Sequence, residues 1–385
     1  GTVATIVGLG AMFGAILEAS GGAQTLANFL LKKFGEKNAS WALMLTGFFV
    51  AIPVFFDVAF IILIPLLYSL QRRTKKSLLL YAIPLLAGLA ITHSFIPPTP
   101  GPVAVADILK ADLGWVILVG FIVGIPTAIV SGPVFAKYIS KKIHIDAPQL
   151  VSEETTSKSF PSVGSIVTII GVPIVLIVVN TVLDTINTTE GDLLHSIKPW
   201  LKMIGHPFSA LIIANLLAWY FLGIRRHFTK EALSKITSKS MEPAGIIILL
   251  TGAGGVFKQM LINTGIGKML ADQIASSGIS LVLLSFIIAA LVRILQGSAT
   301  VAMITAAGVV APLMASSIEG IDKAFLVISI AAGASILSHV NDSGFWLVSK
   351  YVGLDEKQTF KSWTVMTVLL SLTGFTTVFL LSLFF

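Results

Sequence analysis

The sequence predicts an all-α polytopic membrane protein made of two inverted repeats, each with a re-entrant hairpin and a broken transmembrane helix. The chain of 385 residues is 55% hydrophobic and only 12% charged, whereas about a quarter of the residues of a soluble domain are charged. Apolar stretches such as Val365–Phe385 are long enough to cross about 30 Å of hydrocarbon. Two polar segments, His93–Pro102 and His339–Gly344, interrupt such stretches, and their backbone must face protein or a wet cavity.

Apolar helical stretches follow one another along most of the chain. They cover residues 2–17, 41–52, 58–70, 78–96, 113–136, 165–183, 206–221, 244–262, 280–295, 298–316, 324–338 and 360–385. Residues 137–164 are polar and separate two groups of helices, so we expect them to form a cytoplasmic linker between two domains.

The net charge of +7 comes from Lys and Arg in loops, and we expect no nucleic-acid partner. The basic loops contain Arg72, Arg73, Lys75, Lys76, Lys137, Lys141, Lys142, Arg225, Arg226 and Lys230. Because Lys and Arg collect on the cytoplasmic side of membrane proteins, we expect these loops inside the cell. The chain has no cysteine, which excludes disulfide bonds and thiolate metal sites, and we expect neither a metal nor a cofactor.

An internal repeat relates residues 8–27 to residues 252–271. Identical pairs in this alignment are Gly8/Gly252, Gly10/Gly254, Phe13/Phe257, Leu17/Leu261, Gly21/Gly265, Leu26/Leu270 and Ala27/Ala271. His93 meets His339 at nearly the same spacing. A shared apolar bias explains Leu and Phe pairs, but shared Gly and His positions favour duplication.

The repeat and the basic loops together give a topology. Residues 280–316 are interpreted as a hairpin with its tip at Gln296–Thr300, and residues 41–70 as a second hairpin with its tip at Pro53–Asp57. The first repeat (1–136) and the second (165–385) then have opposite orientations, as in many transporters. Two helices precede Gly252 in the second repeat, so we expect two N-terminal helices of the first repeat to be missing before Gly1.

Both hairpin tips and both helix breaks are expected to meet near the middle of the membrane. Asp57 lies between apolar residues, and an ionisable group there indicates function, here a proton carrier, unless a structural partner neutralises it. Arg293 offers a planar fork for a substrate carboxylate. The alternative for Arg293 is a structural ion pair with Asp57 or Asp342.

Other candidate residues are polar groups at the tip and at the two breaks. A helix N-terminus after the Gln296–Thr300 tip would favour an anion, although a plain helix contact of small residues is the alternative. His93 and His339 could titrate, bind substrate or only cap helices. Asp342 is the second candidate for proton coupling. The candidate substrate-binding residues are His93, Ser94, Thr99, Gly101, Arg293, Gln296, Gly297, Ser298, Thr300, His339, Asn341, Asp342 and Ser343.

No nucleotide-binding or hydrolase motif is present, so an ion gradient is expected to drive transport. An intramembrane enzyme using Asp57, His93 and His339 is an alternative of another class. The sequence offers no nucleophile–base or metal-ligand spacing for such an enzyme. A passive channel is a further alternative, and it would not accumulate substrate.

Several of these motifs resemble the gluconate permease family over essentially the whole chain. They are His93–Pro102, Gly297–Ala302, His339–Val348, Gly252–Gln259 and Phe121–Pro126 with Gly132-Pro133. The resemblance implies a multi-pass protein of the bacterial inner membrane that carries gluconate or a related sugar acid together with a proton. It also implies two further N-terminal helices and, from the wider ion-transporter superfamily, a homodimer that works by an elevator motion. Uptake of D-serine, or of another small hydroxy or dicarboxylic acid with sodium coupling, is the nearest alternative.

The chain departs from the family pattern at two positions. Thr99 stands where relatives often have His in a Pro-Pro-His-Pro segment, which removes one candidate titrating group. Asp57 stands where relatives often have Glu, which keeps the acid but shortens its reach by one methylene. The first difference gives Asp57 a larger share of the expected proton coupling, and the second could alter the preferred size of the substrate.

Overall fold

The computed structural model describes residues 2–148, 160–186, 193–265, 269, 279–314 and 318–384. In these ranges the regular structure is helical, and they contain no strand. Part of the predicted linker (149–159) lies outside the described residues. So do the Leu270/Ala271 positions of the sequence repeat.

The helices are numbered α1 to α19 in chain order. Before the linker they are α1 (Thr2–Ala19), α2 (Gly22–Phe34), α3 (Ala39–Val50), α4 (Phe56–Thr74), α5 (Leu79–Phe95), α6 (Pro100–Leu109), α7 (Leu113–Ile129) and α8 (Phe135–Lys142). After it they are α9 (Val163–Thr185), α10 (Leu193–Gly205), α11 (Pro207–Ala218), α12 (Lys230–Lys239), α13 (Met241–Asn263), α14 (Leu281–Gln296), α15 (Ala299–Val310), α16 (Ile321–Ala334), α17 (Ser343–Val352), α18 (Glu356–Thr359) and α19 (Val365–Leu381). A π-helical turn joins α7 to α8, and another, Phe360–Thr364, joins α18 to α19.

Several of these segments are long and apolar enough to cross a membrane. In the described part of the chain they are Leu79–Leu109, Leu113–Lys142, Val163–Thr185, Pro207–Arg226 and Glu356–Leu381. A sixth arises if α1 and α2 count as one span bent by 63°. The bend falls at Gly21, whose φ of +78° is a left-handed conformation that suits glycine. The prediction of an all-α polytopic membrane protein is confirmed.

Six helices lie outside the predicted apolar stretches, namely α2, α6, α10, α12, α17 and α18, and most of α8 lies beyond residue 136. Each is short and carries charged residues, as in the Lys32-Lys33 end of α2, so none forms an uninterrupted apolar stretch. Each predicted hairpin region contains two helices. Helices α14 and α15 pack against each other, whereas α3 and α4 make few contacts with each other. The chain turns at residues 51–55 between α3 and α4, and at Gly297-Ser298 between α14 and α15.

The helix before each break packs closely on the first helix of the neighbouring hairpin. A Cβ on Gly88 of α5 would lie 2.2 Å from the Met44 carbonyl oxygen of α3. A Cβ on Gly333 of α16 would lie 2.3 Å from the Phe286 carbonyl oxygen of α14. Both contacts therefore need glycine, as expected where membrane helices approach through small residues. The two halves share this arrangement, while the inverted relation between them stays a prediction.

The start of the predicted linker is fixed to the basic loop between α4 and α5. Leu78 N donates to the Ile145 carbonyl oxygen at 2.8 Å, and Gln71 Nε2 donates to Asp146 Oδ1 at 2.7 Å. The linker therefore begins on the same side of the protein as Arg72 to Lys76, as the positive-inside prediction requires.

Candidate functional site

Four helix N-termini meet around one cavity of about 540 Å³. The helices are α4 and α6 from the first half and α15 and α17 from the second. Their first residues, Phe56, Pro100, Ala299 and Ser343, all line the cavity. Each helix N-terminus has backbone N–H groups without intrahelical partners and a partial positive charge. The cavity is thus electrostatically suited to an anion.

The two halves differ in how these helices are capped. Asp342 accepts a hydrogen bond from the Gly344 N–H at 3.0 Å at the start of α17, and Ser298 accepts from the Val301 N–H at 3.4 Å at the start of α15. The starts of α4 and α6 have no side-chain cap. The first turn of α4 therefore keeps backbone donors that no capping side chain occupies. Pro100 and Pro102 have no N–H, so the first turn of α6 offers the Gly101 N–H alone.

Arg293 and Asp342 form the ion pair of the site. Arg293 Nη2 lies 2.5 Å from Asp342 Oδ2. The arginine is 4% exposed, and its Nε and Nη1 atoms are buried with no hydrogen-bond partner among the described residues. Burying a guanidinium with unpaired donors is costly unless another group supplies acceptors. The site therefore contains a cation whose Nε and Nη1 donors are available to a ligand.

A hydrogen-bonded network holds Asp342 from the other side. The Ser338 hydroxyl donates to Asp342 Oδ2, and the indole Nε1 of Trp363 donates to Ser338 Oγ at 2.6 Å. The Thr364 hydroxyl donates to the Ser338 carbonyl oxygen at 2.5 Å, and the Ser338 N–H donates to Thr367 Oγ1 at 3.1 Å. These bonds tie the second break to the final helix.

Asp57 lies in the first turn of α4 and faces the same cavity. Within the described residues it has no ion pair and no side-chain hydrogen bond. Its neighbours are aromatic: the Phe55 ring lies 6.4 Å from the His93 ring, and the Phe56 ring lies 5.7 Å from the Trp363 ring. Asp57 is thus free to change partners in a way that Asp342 is not.

The two histidines of the breaks have different surroundings. His93 lines the cavity, and its Nδ1 is buried without a partner in the described part of the chain. His339 does not line the cavity, and its Nε2 donates to the Ile294 carbonyl oxygen at 3.0 Å. Asn341 Nδ2 donates to the same oxygen at 3.0 Å. His339 and Asn341 therefore fasten the second break to the end of α14.

Most of the candidate site residues line this one cavity. They are Asp57, His93, Ser94, Arg293, Gln296, Gly297, Ser298, Thr300, Asn341, Asp342 and Ser343. Thr99, Gly101 and His339 lie outside it. The Thr99 hydroxyl donates to the Ile96 carbonyl oxygen at 2.6 Å inside the break. A Cβ on Gly101 would lie 2.4 Å from the Met303 side chain, so this glycine lets α6 pack on α15.

The final helix and the π-helical turn before it form a wall of the cavity that no sequence pattern predicted. Trp363, Thr367 and Leu370 line the cavity, as do Phe55, Phe56, Val58, Ala90, Pro100, Ala299, Ser335 and Gly344. The signal that could have found this wall is the run Ser362-Trp363-Thr364 with Thr367, a polar group inside an apolar helix. In the described residues no cluster of three or more His, Asp or Glu side chains could hold a metal ion.

Comparison with known proteins gives the family. The family model described as GntP family permease matches residues 1–384. A gluconate permease of Pseudomonas aeruginosa is 40% identical over 387 residues, covering 100% of this chain and 85% of that protein. The low-affinity gluconate transporter of Escherichia coli K12 is 40% identical over 376 residues, covering 97% of this chain and 83% of that protein. The inner membrane permease YgbN of the same strain is also 40% identical, over 392 residues, with 97% and 84% covered.

The fold has a counterpart among solved structures. The Alcanivorax borkumensis YdaH transporter, described as having an unusual topology, matches with a TM-score of 0.69 at 14% identity. The match covers 98% of this chain and 85% of that one, and it supports the fold alone. With a family model matching nearly the whole chain and relatives at 40% identity, the chain belongs to the GntP permease family.

Proposed function

We propose that this chain is a secondary active transporter of the bacterial inner membrane that takes up gluconate or a related sugar acid together with protons. The observation that carries the proposal is Arg293, a buried cation with unpaired donors beside a cavity onto which four helix N-termini open. The names of the similar permeases supply the substrate class. The substrate carboxylate would complete the partners of Arg293.

The rest of the cavity suits a hydroxylated carbon chain. Gln296, Ser298, Thr300 and Asn341 present amide and hydroxyl groups that can both donate and accept hydrogen bonds. An apolar wall that includes Leu370 faces the cavity as well and could contact C–H groups. A volume of about 540 Å³ is within the range of small-molecule sites and leaves room for a six-carbon acid.

Charge balance gives the direction of the coupling. With Asp57 ionised, the full side-chain charges at the cavity are one cation, Arg293, and two anions, Asp57 and Asp342. A bound carboxylate would add a third negative charge to the same cavity, where like charges repel. A proton on Asp57 removes one negative charge. Proton and anion therefore bind together more favourably than the anion alone, which is the condition for symport.

Asp57 is a better proton carrier than Asp342. The Asp342 carboxylate already accepts from Arg293, Ser338 and the Gly344 N–H. A proton on Asp342 would displace one of these donors, whereas a proton on Asp57 displaces none among the described residues. We therefore assign coupling to Asp57 and anion-site structure to Asp342.

Uptake into proteoliposomes tests the function. With the full-length protein, an inward proton gradient should drive accumulation of radiolabelled gluconate, and a protonophore should abolish it. Replacing sodium by choline at fixed pH separates proton from sodium coupling. Competition by D-serine and by dicarboxylates separates the alternative substrates. Gluconate that only equilibrates would indicate a passive channel, and gluconate recovered chemically altered would indicate an enzyme.

The role of Asp57 is tested by Asp57→Asn, with Asp57→Glu as the matched control. The asparagine variant should lose gradient-driven uptake and keep gluconate binding, because its side chain is neutral at every pH. The glutamate variant should retain gradient-driven uptake. Wild-type uptake by the asparagine variant across the whole pH range would remove Asp57 from the mechanism.

Inverted repeats and an elevator motion are part of the same proposal. The shared glycine packing of Gly88 and Gly333 supports the repeats, and the superfamily resemblance supports the motion and a homodimer. Because the chain has no cysteine, a single introduced thiol can be located. In intact cells a membrane-impermeant thiol reagent should label Glu319→Cys, after the second hairpin. Lys75→Cys, after the first hairpin, should react only in permeabilised cells. Labelling of both from outside would refute the inverted topology.

A further inference from the structure

Trp363 lies between the Arg293–Asp342 ion pair and the first turn of α4, which carries Asp57. It belongs to the π-helical turn Phe360–Thr364 and is 3% exposed. All six tryptophans of the chain are among the described residues, and Trp363 is the one that lines the cavity. π-helical turns inside α-helices are frequent at functional sites because they re-aim a side chain.

A chain of hydrogen bonds connects the indole N–H of Trp363 to the Arg293–Asp342 ion pair. Its indole N–H donates to Ser338 Oγ at 2.6 Å, the Ser338 hydroxyl donates to Asp342, and Asp342 holds Arg293. Because the indole N–H occupies a lone pair of the hydroxyl, the Ser338 proton is directed at Asp342. Hydrogen bonds in such chains strengthen one another. Trp363 therefore orients Asp342 without touching it.

The ring of Trp363 packs near Phe56, the residue before Asp57. Its centroid lies 5.7 Å from the ring of Phe56, with 37° between the two planes. Phe56 is the first residue of α4 and directly precedes Asp57. The other charged and titratable groups that line the cavity with Asp57 are His93, Arg293 and Asp342. A shift of the Trp363 ring would thus move the N-terminus of α4 relative to these three groups.

We propose that Trp363 is a positioning residue that holds the Arg293–Asp342 pair and the N-terminal turn of α4 in one fixed relation. Through the hydrogen bond to Ser338, which we call the hydrogen-bond branch, Trp363 fixes the position of the Arg293–Asp342 pair at the anion-binding end of the cavity. Through the ring contact with Phe56, which we call the ring branch, it fixes the position of the Asp57 carboxyl. The inference rests on the proposed transport of a carboxylate, and it assigns a role to a residue on the unbroken final helix.

The hydrogen-bond branch is tested by a double-mutant cycle. Trp363→Phe keeps an aromatic ring and removes the N–H, while Ser338→Ala removes the hydroxyl that relays it. Each should raise the gluconate concentration for half-maximal uptake about five-fold, the loss expected for one hydrogen bond. The double variant should be no worse than either single variant, since both break the same path. Effects that multiply in the double variant would refute the path through Ser338.

The control removes a similar hydroxyl that does not line the cavity. Ser349→Ala loses a buried hydroxyl that donates to the Leu354 carbonyl oxygen at 2.8 Å. It should leave half-saturation at the wild-type value. Whether or not Trp363→Phe folds, a Ser338→Ala effect no larger than that of Ser349→Ala overturns the inference.

The ring branch is tested by Trp363→Leu, which removes both the N–H and the aromatic ring. Its pH profile of uptake should shift relative to wild type, while that of Ser338→Ala should not. Identical pH profiles for wild type and the leucine variant would refute this branch. Wild-type protein that fails to take up gluconate would refute the proposed function itself, so the two failures are distinguishable.

Discussion

Gly297 at the tip of the second hairpin offers a sharp test of the site's architecture. It separates α14 from α15 and has a φ of +89°, which is unfavourable for any residue with a side chain. A Cβ added there would lie 2.2 Å from the Asn341 carbonyl oxygen and 2.8 Å from the Asn341 carbonyl carbon. Both are backbone atoms, so no side-chain rotation can relieve the overlap.

Two effects determine how much Gly297→Ala lowers the free energy of unfolding. Left-handed backbone at a non-glycine residue costs about 1–2 kcal/mol, and overpacking of a tight contact costs about 1–3 kcal/mol more. Together they predict that the free energy of unfolding falls by about 2–5 kcal/mol. Relief of the overlap requires the hairpin tip to leave the second break, which also strains the bonds from His339 and Asn341 to the Ile294 carbonyl oxygen.

Thermal unfolding in detergent and gluconate uptake measure this prediction. Gly297→Ala should unfold at a lower temperature than wild type and transport with a raised half-saturation concentration, because the tip carries Ser298 and Thr300. Gly252→Ala in α13 is the matched control. Among the described residues, nothing beyond the glycine's own helical backbone lies within 4 Å of the added Cβ, and alanine favours a helix. A Gly297→Ala variant with wild-type melting and wild-type uptake would refute the close contact between tip and break.

Three further substitutions test other contacts. The Asp112 carboxylate caps α7 and accepts from the Thr181 hydroxyl at 2.5 Å, so Asp112→Ala should cost about 1–2 kcal/mol in thermal unfolding; equal stability would contradict the cap. Gly88→Ala should separate α5 from α3 and lower the yield of monodisperse protein in size-exclusion chromatography, because its Cβ would lie 2.2 Å from the Met44 carbonyl oxygen; a normal profile would contradict this packing. Thr99→Val loses a hydroxyl donor and should cost about 1 kcal/mol of stability with unchanged half-saturation; the opposite pattern would make Thr99 a ligand.

The membrane-spanning helices and the breaks could be predicted from the sequence because each depends on local chemistry. Apolar length decides whether a segment can span hydrocarbon. The adjacent Pro97 and Pro98 both lack an N–H and follow the end of α5, whereas a single proline such as Pro84 lies inside a helix. Helices α2, α10 and α12 could not be predicted in this way. Short helices with charged faces gain most of their stability from tertiary packing, which no stretch of sequence displays alone.

The site was partly predictable for the same reason. Broken backbone in a membrane must face protein or a wet cavity, so residues of the tips and breaks were expected to lie together. Which of them face the cavity depends on rotations set by neighbouring helices. Thr99 and His339 illustrate this, since each is turned toward a backbone carbonyl instead. Trp363 lies on an unbroken helix, where neither proline nor charge marks a site.

The arrangement of caps explains how two similar halves could take different parts in coupled transport. In the second half, Ser298 and Asp342 occupy first-turn donors, and Asp342 in turn holds Arg293, so this half presents a fixed cation. In the first half α4 and α6 lack side-chain caps, and α4 carries Asp57 in its first turn. A helix N-terminus stabilises a nearby carboxylate. In the proposed mechanism, a proton on Asp57 would remove the anion at the positive end of α4, and this end would become available to the anion of the substrate. The fixed charge and the exchangeable charge would then act on the same ligand from opposite halves, and the bound proton and the substrate anion together would add no net charge.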